Sequence, residues 1–364
     1  MDTVRALVGL NMVLDIGSIR LNKLLSYFGK PENIFKASPD ELTRVSGIGE
    51  GIASKIHSFR QEDIDREISL AKGLGLDILT LESPDYPLNL KYMPDPAIVL
   101  YVKGGLRAED NLSVAVVGSR QASFYGLSCA ERFAGDLVEC GLTVVSGMAR
   151  GIDTCAHRGA LRKRGRTIAV LGSGFRHIYP PENKELSGVI SENGAVISEF
   201  PIETGPLKQN FPRRNRLISG LSLGVLVVEA SLNSGALITA DFALEQGREV
   251  FALPGKVDCL NSLGTNALIK QGAKLVSCVE DIVEELNIPL APKNEPVLPK
   301  KDNPVHNLNE RENTIYNLLS SSPLLLDEII EKTGAGVADI SETIVRLQVR
   351  RLIHKLPSGQ FMKR

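Results

Sequence analysis

From Leu112 to about Asn287 the chain alternates near-continuous apolar runs with longer amphipathic stretches. The runs are LSVAVV, LTVVSG, TIAVLG, GAVISEF, LGVLVVEA and REVFALPG, each closing on glycine or a small polar residue. Such runs predict parallel strands buried on both faces. Segments such as Tyr125 to Cys140 and Ala236 to Gly247 are long enough for crossover helices. The pattern predicts a doubly wound, mostly parallel α/β sheet over residues 111–287. Ligands of such sheets sit outside the carboxyl ends of the strands, so the residues after each run are the candidates for chemistry.

The flanks read differently. Residues 1–110 are mostly helical in pattern, and glycines 47, 49 and 51 between Leu42 and Ile56 predict two short helices joined by a tight turn. That stretch resembles a helix-hairpin-helix motif, whose turn amides bind a DNA phosphate; a glycine turn between packed helices is the alternative. Prolines 84, 87, 94 and 96 lead to a boundary near 105–111. Residues 288–308 hold prolines 289, 292, 296, 299 and 304 without apolar periodicity, which predicts a linker. In 309–364, Thr314–Leu319, Leu326–Thr333 and Ile340–Gln348 predict short helices, followed by a hairpin turned at Ser358-Gly359. This order resembles a small winged-helix domain, with Arg346, Arg350, Arg351 and Lys355 balanced by nearby acids.

A chain of 364 residues with 43% hydrophobic and 23% charged residues has an ordinary globular balance. The first stretch is broken by Arg5, Gly9 and Asn11, and no apolar run approaches a membrane span, so a cytoplasmic location is expected. The five widely spaced cysteines make no C-x-x-C pair and signal neither a disulfide framework nor zinc. With a formal net charge of −1, any polyanion site must be a local concentration of cations.

The segments that follow the runs carry the candidate chemistry. Gly118-Ser119-Arg120 offers amides, a hydroxyl and a guanidinium suited to phosphate, or simply a capping serine beside a solvated arginine. Ser146, Gly147, Met148, Ala149 and Gly151 bend into a helix on which Asp153 and His157 share a face; that pair is either a dyad or a tie between elements. GSG at 172–174 has His177 in place of a third glycine, which disfavours a nicotinamide site, and Tyr179-Pro180-Pro181 reads as a rigid turn. The densest signal runs from Lys208 through Asn210, Phe211, Arg213, Arg214, Asn215, Arg216 and Ser219 to Gly220. Its cations can follow a phosphate chain while Phe211 faces a base. Alternatively the arginines pair internally with acids such as Glu199 and Glu229, and at least one of the three is expected to be structural. Ser234 and Gly235 complete the rim. Paired activatable groups are scarce, so no catalytic residue, cofactor or metal is predicted.

GSR at 118–120, SGMARGID..AH at 146–157, TIAVLGSG...IYPPEN at 167–183, FPRRNRLISGLS at 211–222 and VVEASLNSGALITADFALEQGREVFALPG at 227–255 closely resemble the bacterial DNA-processing protein A (DprA/Smf) family. GTNALIKQGA at 264–273 extends the match. The resemblance implies an extended Rossmann-like domain and a homodimer. It also implies a non-enzymatic function: binding and protecting single-stranded DNA and loading RecA recombinase onto it during natural transformation. It implies phosphate contacts from Arg120 and Lys208, base stacking by Phe211, and dimer and RecA contacts within roughly 235–275.

Two other readings share the architecture. Cytokinin-activating phosphoribohydrolases are Rossmann-like, but their P-G-G-x-G-T-x-x-E stretch is replaced here by Leu253-Pro254-Gly255-Lys256-Val257-Asp258. A double-stranded DNA regulator would act through the winged helix.

Overall fold

The six apolar runs are six parallel strands in the computed structural model, which describes residues 2–13, 15–288, 308–319, 323–350, 352–356 and 359–363. Two further strands precede them, β1 (Asp77–Thr80) and β2 (Val99–Gly104). The six are β3 (Ser113–Val117), β4 (Thr143–Ser146), β5 (Thr167–Val170), β6 (Ala195–Ser198), β7 (Gly224–Val227) and β8 (Glu249–Ala252). The short β9 (Lys274–Leu275) follows. The spatial order is β1-β2-β6-β5-β4-β3-β7-β8-β9, parallel from β6 to β9, with β2 antiparallel to both β1 and β6. From β3 the chain winds outward to β6, then returns to lay β7 against the other edge of β3. The winding direction therefore reverses between β3 and β7, which opens a crevice at their carboxyl ends.

The described residues up to 76 are mainly helical: α1 (Thr3–Met12), α2 (Ser18–Phe28), α3 (Pro31–Ile34), α4 (Pro39–Thr43), α5 (Glu50–His57) and α6 (Gln61–Gly73), and a short α7 (Leu88–Lys91) joins β1 to β2. Gly47, at φ +91°, lies in the turn between α4 and α5, and a Ser38–Glu41 capping box starts α4. Leu10, Leu24, Ile34, Ile56 and Ile64 form one core with Val99, Tyr101 and Val196 of the sheet. Asn11 Nδ2 donates to Glu199 O at 2.9 Å, and the Ile202 amide donates to the buried Glu67 carboxylate at 2.8 Å. The reading that the helical stretch runs to residue 110 is corrected, since the chain enters the sheet at Asp77. The β1 sequence DILT is short and half-exposed, and β2 stands just behind prolines, so neither looks like a buried parallel run.

Alternation along β3 assigns its two faces. Val114 and Val116 pack with Phe133 and Leu137 of α8 (Phe124–Glu139) and Ala156 and Ala160 of α9 (Ile152–Arg162). Ala115 and Val117 pack with Leu217 and Ile218 of α10 (Asn210–Leu221) and Ala236, Ala240 and Ala243 of α11 (Gly235–Glu245). Each buried Phe or Leu contributes about 1.5–3 kcal/mol. Gly151 starts α9 at φ +77°, where a Cβ would lie 2.4 Å from Ser119 O, so the β3 and β4 loops touch at backbone distance.

A second unit lies within residues 292–364. It comprises α12 (Glu310–Leu318), α13 (Leu326–Thr333), α14 (Val337–Val349) and a hairpin of β10 (Ile353–Lys355) with β11 (Phe361–Lys363) around Ile315, Ile329, Ile344, Leu347 and Phe361. Three helices and a hairpin make the winged-helix arrangement. Arg346 pairs with Glu342 and Arg350 with Glu312. The linker reading at 289–307, Arg351 and Ser358 lie outside the described residues. Among the described residues no helix is long and apolar enough to cross a membrane.

Candidate nucleic-acid interface

The crevice at the ends of β3 and β7 is a cavity of about 770 Å³. Gly118-Ser119-Arg120 forms one wall, Ser234 and Gly235 another, and Lys208, Phe211 and Tyr179 the mouth. The topology brings the ends of the first, second, third and fifth runs to one place, the second through Ala149 and Asp153.

At the β3 end, a Cβ on Gly118 would lie 2.6 Å from Ile152, so the loop runs flush against α9. The Ser119 amide donates to Glu229 O at 2.7 Å and its hydroxyl accepts from the Gln121 amide at 3.1 Å. Arg120 projects from this anchored turn, exposed, its guanidinium carbon 5.1 Å from the centroid of the Phe211 ring. Phe211 is half-buried at the start of α10. It rests on Gly172, where a Cβ would meet the ring at 2.8 Å. Lys208 is exposed just before α10.

Several expected contacts are instead committed to protein partners, most of them in the interior, and are corrected. Arg214 is buried and donates to the Gly147 and Val170 carbonyls, and burial lowers its pKa to about 10. Arg216 is buried and pairs with Glu199 and with Asp95 at 3.2 Å. Arg213, about one-third exposed, pairs with the same Glu199 at 3.3 Å and lies over Phe200. The expectation of at least one structural arginine thus holds for Arg214 and Arg216. Glu229 instead accepts from the Ser123 amide and hydroxyl. Ser146 donates to Val116 O, Met148 is fully buried, Asn210 donates to Gly205 O, Ser219 bonds within its helix, and Gly220 packs on Met93 and Leu90. Asn215 lines the cavity while donating to Gly235 O at 3.2 Å. A helix embedded beside a sheet turns most of its polar side chains toward protein partners.

The second loop has its own resident anion. Asp153, in the first turn of α9, accepts from the Ala149 amide at 3.2 Å with the Gly147 amide also favouring its charge, so this loop already faces a carboxylate. Burial raises its pKa while Arg214 and the amides oppose the shift. His157 is buried four residues on, with Nδ1 2.8 Å from Thr167 Oγ1. Thr167 Oγ1 spends its proton on Val144 O, so Nδ1 is the donor. Burial and Arg214 push this imidazole down to about 3. Asp153 and His157 thus face different partners.

The sequence reading missed Tyr179 and Arg150. The Tyr179 ring lies 5.8 Å from that of Phe211, and the Arg150 guanidinium carbon lies 5.9 Å from the Tyr179 ring. Tyr179 follows the β5 run as Arg120 follows β3, so the strand-end rule reached it, but the adjoining prolines suggested only a turn.

Comparison with known proteins matches residues 77–287 to the DNA recombination-mediator protein A family, 299–359 to the DprA winged helix domain and 30–59 to the helix-hairpin-helix motif. The chain is 39% identical over 313 residues to Protein Smf of Escherichia coli, covering 84% of this chain and 83% of that protein. It is 38% identical to the DNA processing protein DprA of Bacillus subtilis, covering 73% and 93%. The crystal structure of DNA processing protein A from Streptococcus pneumoniae superposes with a TM-score of 0.69 at 34% identity, covering 78% of this chain and 98% of that one. DNA processing protein A from Helicobacter pylori, a structure described for its single-stranded DNA binding mode, superposes with a TM-score of 0.52 at 31% identity, covering 58% and 96%. With its strand order, its crevice and its sequence all pointing the same way, this chain belongs to the DprA/Smf family of DNA recombination-mediator proteins.

Proposed function

We propose that this protein binds single-stranded DNA in the crevice between β3 and β7, protects it and loads a RecA recombinase onto it during natural transformation. The observation that carries the reading is the exposed Arg120 beside the half-buried Phe211 ring, with Lys208 at the same mouth. A ring of this kind stacks on any base, and the two cations follow the phosphates without reading sequence. The Helicobacter pylori relative's single-stranded DNA binding mode supports the ligand class. RecA loading and a homodimer through the Rossmann-like domain rest on family membership. The function is non-enzymatic in this reading: Asp153 and His157 serve the interior.

Equilibrium binding of fluorescent oligo-dT and of the matching duplex to the full chain tests it. Phe211→Ala should weaken single-strand binding by about 1–3 kcal/mol. Arg120→Ala and Lys208→Ala should each reduce the magnitude of the salt slope by about 0.7. Wild-type affinity in all three variants overturns the site. Release of free base from nucleoside monophosphates overturns the non-enzymatic reading in favour of a phosphoribohydrolase.

A further inference from the structure

At the crevice mouth the Arg150 guanidinium lies over the Tyr179 ring, Tyr179 meets Phe211, and Arg120 lies over Phe211, and all four line one small recess. The successive separations are 5.9, 5.8 and 5.1 Å, and the ring planes are inclined at 53°. Both rings are half-buried and line the cavity. The Tyr179 loop is fastened to the Arg150 loop: Asn183 Nδ2 donates to Met148 O and to Thr154 Oγ1, both at 2.8 Å, and Thr154 Oγ1 donates to Ala149 O at 2.7 Å. The segment that carries Tyr179 is therefore anchored before any ligand arrives. Arg150 is exposed and bridged to Glu182, whose carboxylate is about half exposed. A surface pair of this kind contributes little and is readily exchanged.

We propose that Tyr179 is a second nucleobase platform adjoining Phe211, with Arg150 as the phosphate-binding cation that accompanies it, so that the crevice grips two successive nucleotides. This rests on the single-stranded DNA reading of the site and extends it. Two bases lying on rings inclined at 53° cannot remain stacked on each other at the usual rise of about 3.4 Å. The pair of platforms splays neighbouring bases apart, which an unpaired strand allows and a duplex forbids. Each guanidinium now covers a ring. A base sandwiched between ring and cation needs about 7 Å, twice the stacking distance. Arg120 and Arg150 therefore withdraw as bases enter, and both are long, exposed side chains that can settle on the phosphates instead.

The test compares binding of contiguous oligo-dT with an oligo-dT in which every second base is abasic, using the full-length protein. In any register the alternating strand can fill only one of two adjacent platforms. Wild type should bind it about 5- to 150-fold more weakly than contiguous oligo-dT. Tyr179→Ala should bind the two strands equally, at an affinity near that of wild type for the alternating strand. Tyr179→Phe should behave as wild type, and Tyr179→Leu, which keeps apolar bulk without a ring, as the alanine variant. Arg150→Ala should reduce the salt slope by about 0.7. If Phe211→Ala loses affinity while wild type fails to discriminate between the strands, one platform exists and Tyr179 merely props Phe211. If Tyr179→Ala still discriminates, the second platform is not Tyr179. Should Phe211→Ala also bind like wild type, the underlying site reading fails, and that result is distinct from either of the other two.

Discussion

Lowering the pH from about 8 to about 5 should destabilise the fold by roughly 2 kcal/mol through His157 alone. The imidazole is fully buried, its Nδ1 is committed to Thr167, and its Nε2 has no hydrogen-bond partner among the described residues. Protonation would bury a second N–H with no acceptor and add a positive charge near Arg214. Hence the pKa falls from 6.5 to about 3 on folding. The folded chain takes up fewer protons than the unfolded one, so this stability is fully present above about pH 6.5 and is lost progressively as the pH falls towards 3. At about 1.36 kcal/mol per unit, the 1.5 units between 6.5 and 5 give roughly 2 kcal/mol. Urea unfolding of wild type and His157→Asn at both pH values isolates the effect, because Asn keeps a donor for Thr167 and does not titrate. Asp153, with its raised pKa, contributes in the opposite sense in both proteins and cancels in the comparison. If His157→Asn loses as much stability between the two pH values as wild type, the assignment of a neutral buried imidazole is wrong.

Glu199→Ala should cost about 3–5 kcal/mol in urea unfolding, because it strips a buried carboxylate from Arg216 and Arg213; a loss under 1 kcal/mol would mean Asp95 suffices. Gly151→Ala should lower thermal stability by more than about 1 kcal/mol, since φ is +77° and the new Cβ would press on Ser119 O. It should also weaken oligo-dT binding by displacing Arg120. A chain ending at Ile288 should keep oligo-dT affinity within about two-fold, as the proposed contacts all precede it; a larger loss in the same titration would assign a share of the binding to the winged helix.

Local pattern alone determined the six parallel strands, because a strand covered on both faces must be apolar at nearly every position and must stop where the chain turns. The same rule marked Arg120, Lys208 and Phe211, which stand beside strand and helix ends where side chains meet solvent. It did not reveal β1 and β2, whose antiparallel pairing at one edge lets polar and half-exposed residues into the strand. Nor did it separate the three arginines of α10. Arg213, Arg214 and Arg216 look alike in sequence, and only the folded chain brings Glu199 and the Gly147 and Val170 carbonyls to them. Tyr179 is the clearest case. Its ring and that of Phe211 are 32 positions apart, and they meet because the chain reverses its winding between β3 and β7. That choice is made by how crossovers pack, and no single segment records it.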